Sequence, residues 1–386
     1  MYYYLTRDLI LHLIFFQTVL LLIALSNAYI LWRGSQQQRL RGFPQVSILV
    51  PARNEEGNIA RCISSLLTQD YPSFEVIVLD DESTDGTQTI LERMSLTEER
   101  LRILHGQPLP PGWLGKNWAC AQLAAQAVGD LFLFTDADTY HKPQALRAYV
   151  TTLEGERADL LTGFPLQIMH TWGERFIVLF FGWAFYCFVP LWLAYRLKLP
   201  VLSIDVGQIL LFRRPVYEAI GGHKAVRASI VEDLDLTRRI KACGYRWRVL
   251  DATRLISCHM YGSGQEAYNG LCKNLFAAFG FHLLPYLFVW LWLAVVFLEP
   301  PILLGLFALD LAPHAQVLFI LLCMGLSLSL WLVPYQRLGL PWYLAAVYPM
   351  TMLVIELVAI RSLWLSVSGR LVWKGRALIR PHWRWL

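Results

Sequence analysis

The sequence predicts an α/β domain that carries membrane-spanning helices on both sides. Two apolar regions almost free of charge, one near each end of the 386-residue chain, are long enough to cross a bilayer. Between them, short β-rich runs alternate with helical patterns, which is typical of a mostly parallel sheet with helices on both faces. With 56% hydrophobic and only 16% charged residues, the composition excludes a disordered chain and disfavours an ordinary soluble enzyme.

The first apolar region, residues 9–32, contains no charged side chain. As a helix it would measure about 36 Å, which exceeds the roughly 30 Å of bilayer hydrocarbon. A signal peptide would have a shorter apolar core and a basic start, so we expect residues 1–35 to remain as an anchor. Because Arg33, Arg39 and Arg41 follow it, the positive-inside rule predicts an external N-terminus and a cytoplasmic domain after the anchor.

The polar middle of the chain, residues 45–275, is expected to form this cytoplasmic domain. Strands are predicted at residues 46–50, 76–79, 101–104 and 131–134. In sheets of this class ligands bind outside the carboxyl ends of the strands. Acidic residues directly follow the second and the fourth of these strands, so the sequence predicts a site at that edge.

Within this middle region, residues 176–195 are uncharged and nine of the twenty are aromatic. Their length would allow a crossing, but this aromatic content favours a membrane interface. The alternative is an aromatic-rich helix in a protein core.

The second apolar region, residues 280–362, is predicted to contain spans near 283–309, 314–333 and 341–360. No Lys or Arg occurs between Lys273 and Arg337. Pro300 and Pro301 interrupt the first span, and we expect any re-entrant segment to lie there.

A basic tail, residues 363–386, closes the sequence. From position 361 onward there is no carboxylate, and the basic residues are Arg361, Arg370, Lys374, Arg376, Arg380 and Arg384. Such a tail beside apolar sequence indicates an anionic membrane surface rather than nucleic acid. Three complete C-terminal crossings would leave the tail outside, against its charge, whereas an even number would place it in the cytoplasm.

The seven cysteines form no C-x-x-C pair, and their number is odd. This fits neither a disulfide framework nor a zinc cluster. We expect reduced, cytosol-facing thiols that pack as small hydrophobic side chains.

The acidic residues at the strand ends are Asp80, Asp81, Asp136 and Asp138. In an extended run, positions i and i+2 face the same way, so the Asp136 and Asp138 carboxylates would point at one place. A cation between them would relieve their repulsion, and oxygen ligands suit Mg²⁺ or Mn²⁺, which usually also hold substrate phosphates. The alternative is a turn capped by aspartates.

Four further candidate residues stand at helix starts or beside the apolar region. Glu232 and Asp233 open a predicted helix, where they serve either as a general base or simply as acids favoured by the helix dipole. Lys116 opens another helix against its dipole, which an anion would compensate, unless the side chain is only an exposed lysine. His259 is a further metal ligand or, more simply, a hydrogen-bonded structural histidine.

In order, the motifs are residues 50–55 (VPARNE), 80–87 (DDESTDGT), 113–116 (WLGK), 134–138 (FTDAD), 221–223 (GGH) and 232–233 (ED). Taken together, they resemble the family 2 glycosyltransferases, which have the GT-A fold, over roughly residues 45–275. The resemblance implies a nucleotide-sugar-binding mixed sheet with helices on both faces.

The resemblance also implies a role for each matching residue. Pro51, Asn54 and Glu55 correspond to the loop that holds the nucleotide, and Asp81 to the aspartate that contacts its base. Lys116 would lie near the diphosphate. Asp138 corresponds to the metal-holding aspartate, with Asp136 directed at ribose or metal. Asp233, with Glu232 beside it, corresponds to the catalytic base.

Two departures from the family pattern are informative. Glu82 stands where many members have Gly, which would disturb the turn near the base pocket. Residues 268–274 (YNGLCKN) replace the Gln-x-x-Arg-Trp motif of processive polysaccharide synthases, which disfavours chain polymerisation. The order of anchor, sheet domain and apolar C-terminus is similar to membrane glycosyltransferases that act on carotenoids, hopanoids or sphingolipids.

We therefore expect a multi-pass enzyme of the cell membrane that transfers sugar with inversion from a UDP-sugar, UDP-glucose by default, to a hydroxyl or carboxyl of a membrane lipid. A polysaccharide synthase of the same family and a nucleotidyltransferase are the alternatives, and a transporter or scaffold is the non-enzymatic one. If residues 176–195 crossed the bilayer, Asp138 and Asp233 would lie on opposite sides. We therefore expect that segment on the cytoplasmic leaflet.

Overall fold

The structure is a computed structural model that describes residues 2–34, 42–312, 316–373, 376–378 and 382–386. Of the basic residues used above, Arg39, Arg41, Lys374 and Arg380 lie outside this range. The chain divides into a helical unit and a sheet unit. The helical unit comprises residues 1–30, 169–192 and 261–386, and the sheet unit comprises residues 31–168 and 193–260.

In chain order the helices are α1 (Tyr2–Gly34), α2 (Ile59–Leu67), α3 (Thr87–Ser95), α4 (Gly115–Gln126), α5 (Ala145–Gly155), α6 (Trp172–Phe188), α7 (Leu191–Ala194), α8 (Arg214–Ala219), α9 (Gly222–Ala225), α10 (Glu232–Ala242), α11 (Gly264–Ala278), α12 (Leu283–Ala308), α13 (Val317–Arg337) and α14 (Tyr348–Ser368). The strands are β1 (Val46–Ala52), β2 (Phe74–Asp80), β3 (Leu101–His105), β4 (Leu131–Phe134), β5 (Thr139–His141), β6 (Leu160–Phe164), β7 (Leu166–Gln167), β8 (Leu210–Arg213), β9 (Trp247–Asp251), β10 (Ile256–Cys258), β11 (Val372–Trp373) and β12 (Arg376–Ala377). Short 3₁₀ helices lie at Pro200–Leu202 and Trp342–Val347.

The sheet unit is built on seven strands in the order β3-β2-β1-β4-β8-β6-β9. Strand β8 is antiparallel to both of its neighbours, while the other pairs are parallel. This confirms the predicted mixed α/β sheet with the first four strands in their expected places. Since β1, β2 and β4 are parallel neighbours, the residues that follow them meet at one edge.

Burial of apolar side chains explains the central strand and its first helix. In β1, Ile48, Leu49 and Val50 are fully buried, as a strand covered on both faces requires. In α2, Ile59 and Ile63 are buried one turn apart on a single face. Burying each such side chain contributes about 1.5–3 kcal/mol, which fixes the positions from which the site loops leave the sheet.

Among the residues that the structure describes, four helices are long and apolar enough to cross a membrane: Asp8–Gly34, Leu283–Ala308, Val317–Arg337 and Trp342–Ser368. These match the predicted spans at both ends of the chain. The structure differs at Pro300 and Pro301, where we expected a re-entrant segment, because α12 continues through both prolines. Pro300 has no N–H to bond the carbonyl of Val296, and Gln17 Nε2 of α1 donates to that oxygen instead, at 3.3 Å.

The chain instead turns back between α13 and α14. Trp331, Tyr348 and Phe297 lie together, with ring centroids 6.2–6.4 Å apart, so α14 begins at the depth of the middle of α12. Beyond Trp331, α13 continues for about 9 Å before the chain returns through the 3₁₀ helix.

Helix α14 then runs antiparallel to α12, because Tyr286 Oη donates to the carbonyl of Ala359 at 2.9 Å. At the same end, the amide of Leu283 donates to the carbonyl of Arg384 at 2.8 Å, and the amide of Arg384 to Phe281 at 2.9 Å. The chain terminus therefore lies at the end of the helical unit where α12 begins.

The aromatic segment forms α6, a break at Pro190 and the short α7. The Thr171 hydroxyl caps α6 by accepting from the amide of Glu174 at 3.3 Å. Trp183 is fully buried and stacks on Trp331 with centroids 4.3 Å apart. For Trp183 the core alternative therefore describes the structure better than an interfacial position.

Candidate active site at the carboxyl edge of the sheet

The loops after β1 and β2 are tied together by hydrogen bonds. Asn54 adopts a left-handed backbone with φ of 53°, its Oδ1 accepts from the amide of Thr84 at 2.8 Å, and its amide donates to Ser83 Oγ at 2.9 Å. The amide of Glu55 donates to Thr87 Oγ1 at 2.8 Å. Three residues predicted to hold a nucleotide (Pro51, Asn54 and Glu55) thus lie on a rigid surface beside β2.

Asp81 follows β2 and is buried, with 4% of its surface exposed. The guanidinium of Arg53 donates to the Asp81 carbonyl, and its Nη1 is 3.9 Å from Asp81 Oδ2. Glu82 has φ of 55°, the conformation that glycine adopts most easily. Glu82 adopts this conformation while Arg53 still donates to the neighbouring Asp81 carbonyl, so the turn stays closed.

Asp136 and Asp138 lie in a turn between β4 and β5, not in the extended run that we expected. The strand ends at Phe134, and Thr139 Oγ1 donates to the carbonyl of Asp136 at 2.7 Å, which closes the turn. The two carboxylates are neighbours, as we expected, but the turn brings them together and not the alternation of side chains along a strand.

Burial, the charge of Asp136 and the charge of Glu55 raise the pKa of Asp138 to about 7. The thiol of Cys258 lies 3.5 Å from Asp138 Oδ1, and the amide of His259 donates to the Asp138 carbonyl at 3.2 Å. Asp138 is thus a carboxyl group in a crowded, acidic environment that disfavours its charge.

Lys116 links the acidic turn to α10. Its Nζ lies 2.9 Å from Asp136 Oδ1 and 2.9 Å from Glu232 Oε1. Burial works against its charge, but the carboxylates of Asp136, Glu232 and Asp233 raise the pKa of Lys116 well above its usual value. These carboxylates are the anions that compensate a lysine at a helix start.

Asp233 stands in the first turn of α10, and its Oδ1 accepts from the amide of Leu234 at 2.8 Å. Burial and the charge of Glu232 raise the pKa of Asp233 to about 6. A Cβ on Gly207 would lie 2.8 Å from Asp233 Oδ2, so the carboxyl group rests against a glycine that leaves it just enough space.

Asp205 is a buried acid that the sequence analysis missed. Its carboxyl accepts from Thr162 Oγ1 at 2.6 Å, from Thr237 Oγ1 at 2.7 Å and from the amide of Val206 at 2.7 Å. Burial and the charge of Asp233 raise the pKa of Asp205 to about 8. A lone acid in residues 199–212, an otherwise uncharged run, was the only signal in the sequence.

The residues present fit a cation shared with a substrate, not one enclosed by protein. Within the described ranges no group of three or more His, Cys, Asp and Glu side chains converges in a metal-binding arrangement. Asp136 and Asp138 offer two crowded carboxylates whose mutual repulsion a divalent ion would relieve, with substrate phosphates completing its oxygen ligands.

Comparison with known sequences finds a family match that includes most of the sheet unit. Residues 47–221 match the family model described as glycosyl transferase family 2. The chain is 27% identical over 228 residues to the probable glycosyltransferase YdaM of Bacillus subtilis (strain 168), covering 57% of this chain and 51% of that protein. It is 26% identical over 249 residues to 4,4'-diaponeurosporenoate glycosyltransferase of Staphylococcus aureus (strain MRSA252), covering 60% of each. The chain thus spans about half to three fifths of these relatives' length.

Among solved structures, the mannosyltransferase PcManGT from Pyrobaculum calidifontis, in complex with GDP-Man and Mn²⁺, is similar in fold. Its TM-score is 0.51 at 19% sequence identity, and the match covers 91% of this chain and 99% of that one. At this identity the similarity describes the fold alone.

Proposed function

We infer, from the glycosyl transferase family 2 domain over residues 47–221, that this chain is a membrane enzyme that transfers a sugar from a nucleotide sugar to a lipid acceptor. The observation that carries the proposal is Lys116, whose Nζ contacts both Asp136 and Glu232 at 2.9 Å. One ammonium group thereby joins the acidic turn, where a diphosphate would be held, to the helix start that carries the proposed base.

In the proposed reaction, Pro51, Asn54, Glu55 and Asp81 line the nucleotide side of the site. Lys116 stabilises the charge that develops on the departing diphosphate. A divalent ion, Mg²⁺ or Mn²⁺, held by Asp136 and Asp138 would supply further neutralisation when bound.

Asp233 accepts the proton of an acceptor hydroxyl as that oxygen attacks the anomeric carbon. A pKa of about 6 leaves Asp233 mostly ionised at neutral pH and basic enough to share a proton. A single displacement inverts the anomeric centre, so an α-linked donor gives a β-glycoside.

For the donor we propose a UDP-sugar, with UDP-glucose as the first to test and GDP-mannose as the comparison. For the acceptor we propose a lipid hydroxyl or carboxyl. The four apolar helices support a lipid acceptor, since they would place the enzyme where such molecules reside. The relative named 4,4'-diaponeurosporenoate glycosyltransferase makes that compound the first carboxyl acceptor to test.

The experiment is transfer of radiolabel from each nucleotide sugar into the lipid extract of membranes that contain the full chain, with Mn²⁺, with Mg²⁺ and with chelator. We expect label in a lipid, more with metal than with chelator. As a matched pair, Asp233→Asn should lose transfer to a hydroxyl acceptor, whereas Asp235→Asn, on the same helix, should retain it. Label in an insoluble polymer would instead identify a polysaccharide synthase.

A further inference from the structure

A loop of the sheet unit, residues 196–201, presents large apolar side chains to solvent. Leu197 is 39% exposed, Leu199 49% and Val201 78%. Arg196 and Lys198 alternate with them and are also exposed. Cations interleaved with exposed apolar side chains are typical of surfaces that enter the headgroup region of a bilayer.

The same loop borders a groove of about 280 Å³ next to the edge strand β9. Arg196, Lys198 and Arg246 line this groove. None of them takes part in the salt bridges found in the described part of the chain. Two acids lie nearby: Asp159, which accepts from the amide of Arg246 at 2.7 Å, and Glu156, which pairs with Arg248 at 3.2 Å, so three cations face one unpaired carboxylate among these groups. The groove therefore has an excess of positive charge.

Two sets of contacts fix the ends of the loop on the sheet unit. Lys241 is buried, and its Nζ donates to the carbonyls of Ala194 at 2.9 Å and Leu202 at 2.7 Å, one at each end of the loop. Tyr195 Oη accepts from the amide of Val249 at 3.2 Å, while the Arg248 guanidinium lies 4.4 Å above the Tyr195 ring. These contacts fix both ends of the loop, so its apolar side chains are exposed in a well-defined conformation.

We propose that the 196–201 loop is a docking surface for an anionic phospholipid bilayer, with its apolar side chains among the headgroups and Arg196, Lys198 and Arg246 against lipid phosphates. The excess of cations without carboxylate partners favours an anionic surface. Chain continuity favours a bilayer, because Leu193 follows directly on residues 169–192, which belong to the unit with the four candidate spans.

The test places an environment-sensitive fluorophore on the full chain in proteoliposomes. The background is Cys243→Ser, because Cys243 is the exposed native cysteine and the other six are buried. The fluorophore is attached to the cysteine of Val201→Cys. If that variant fails to fold, it is attached to Leu199→Cys instead. The matched control is Leu96→Cys, an apolar residue that is 85% exposed at the end of α3 in the same unit.

We expect the probe at position 201 to shift to the blue and to be quenched by spin-labelled lipids, increasingly as phosphatidylglycerol replaces phosphatidylcholine. The probe at position 96 should emit as in water in every mixture. Arg196→Gln with Lys198→Gln should abolish the dependence on phosphatidylglycerol, whereas Arg93→Gln with Arg100→Gln, two exposed arginines elsewhere in the unit, should leave it intact.

Emission at position 201 that equals emission at position 96 in all mixtures overturns the proposal. A blue shift that depends on protein density and not on lipid charge would mean that the loop contacts a second copy of the chain. This result would also overturn the proposal. The readout requires no glycosyl transfer, so its failure and that of the proposed function are distinguishable.

Discussion

At the residue scale, the first two acids of α10, Glu232 and Asp233, have different surroundings. Glu232 is paired with Lys116, while Asp233 rests against Gly207 with a pKa of about 6. A pKa of about 6 lets Asp233 take up a proton close to neutral pH.

The acceptor decides how much the enzyme depends on Asp233. A hydroxyl must lose its proton during attack, so Asp233→Asn should lower kcat by about 10²–10⁴-fold with a hydroxyl acceptor. A carboxyl acceptor is already ionised at neutral pH, so the same variant should lose far less with it. Initial rates with a matched alcohol and acid of one lipid measure the difference. Equal losses with both acceptors would mean that Asp233 orients the acceptor and does not deprotonate it.

Asp205 predicts a dependence of stability on pH. Its folded-state pKa of about 8 lies above the unfolded value of about 3.9, so the folded protein binds one more proton between these values. The sign follows directly: the contribution of Asp205 to stability is complete below about pH 4 and is lost as pH rises toward 8.

Asp205→Asn should remove that slope, because the amide stays neutral and can still bond Thr162 and Thr237. Melting temperatures of the full chain in detergent from pH 4 to 8 measure it. The proposed role of Asp233 as base predicts a fall in activity as pH drops through about 6, and this fall should remain in the Asp205→Asn protein. A slope identical to that of the unaltered protein would contradict the proton assigned to Asp205.

At the element scale, the side chain of Gln17 in α1 forms hydrogen bonds to α12 and α13. Gln17 donates to the Val296 carbonyl that Pro300 leaves without its helical partner, and to Ser327 Oγ at 2.8 Å. Gln17→Leu should destabilise the helical unit by about 1–2 kcal/mol, since polar pairs between membrane helices contribute this much.

Pro300→Ala provides the control, because an alanine amide can bond Val296 from within the helix. The cost of Gln17→Leu should therefore be smaller in the Pro300→Ala background, and a double-mutant cycle on unfolding in mixed micelles measures the coupling. Strict additivity would show that the Gln17–Val296 hydrogen bond contributes nothing to stability.

The sequence was most informative where a short-range pattern decides the structure. Continuous apolar runs located β1 and β2, and uncharged length located α12 and α13. It was least informative where tertiary contacts decide. The turn at Asp136 closes through Thr139, α12 survives Pro300 through Gln17, and Trp183 is buried by a helix 148 residues later in the chain, at Trp331. Asp205 escaped notice because its threonine partners come from β6 and α10, which no local pattern brings together.

At the scale of the whole molecule, the path of α13 and α14 bears on where the basic tail lies. Both helices run opposite to α12, and the chain terminus bonds the backbone at Leu283. The tail therefore returns to the side from which α12 starts, although three apolar helices precede it.

This path predicts that positions 311 and 385 face opposite sides of the membrane. Leu311 is exposed between α12 and α13, and Trp385 is exposed near the terminus. In the Cys243→Ser background, an impermeant maleimide added to sealed, oriented vesicles should label Leu311→Cys and Trp385→Cys from different sides. Labelling of both from one side would mean that α12, α13 and α14 each cross completely.

The double contact of Lys116 has a consequence for anyone who designs ligands against this site. Its ammonium group already holds two oxygens, and only a group with more negative charge than that pair can draw it away. A ligand in which an uncharged linker replaces the pyrophosphate would leave Lys116 bound to its two carboxylates. Such a ligand would gain no binding free energy from the lysine. Useful inhibitors of this protein will have to keep their anionic character.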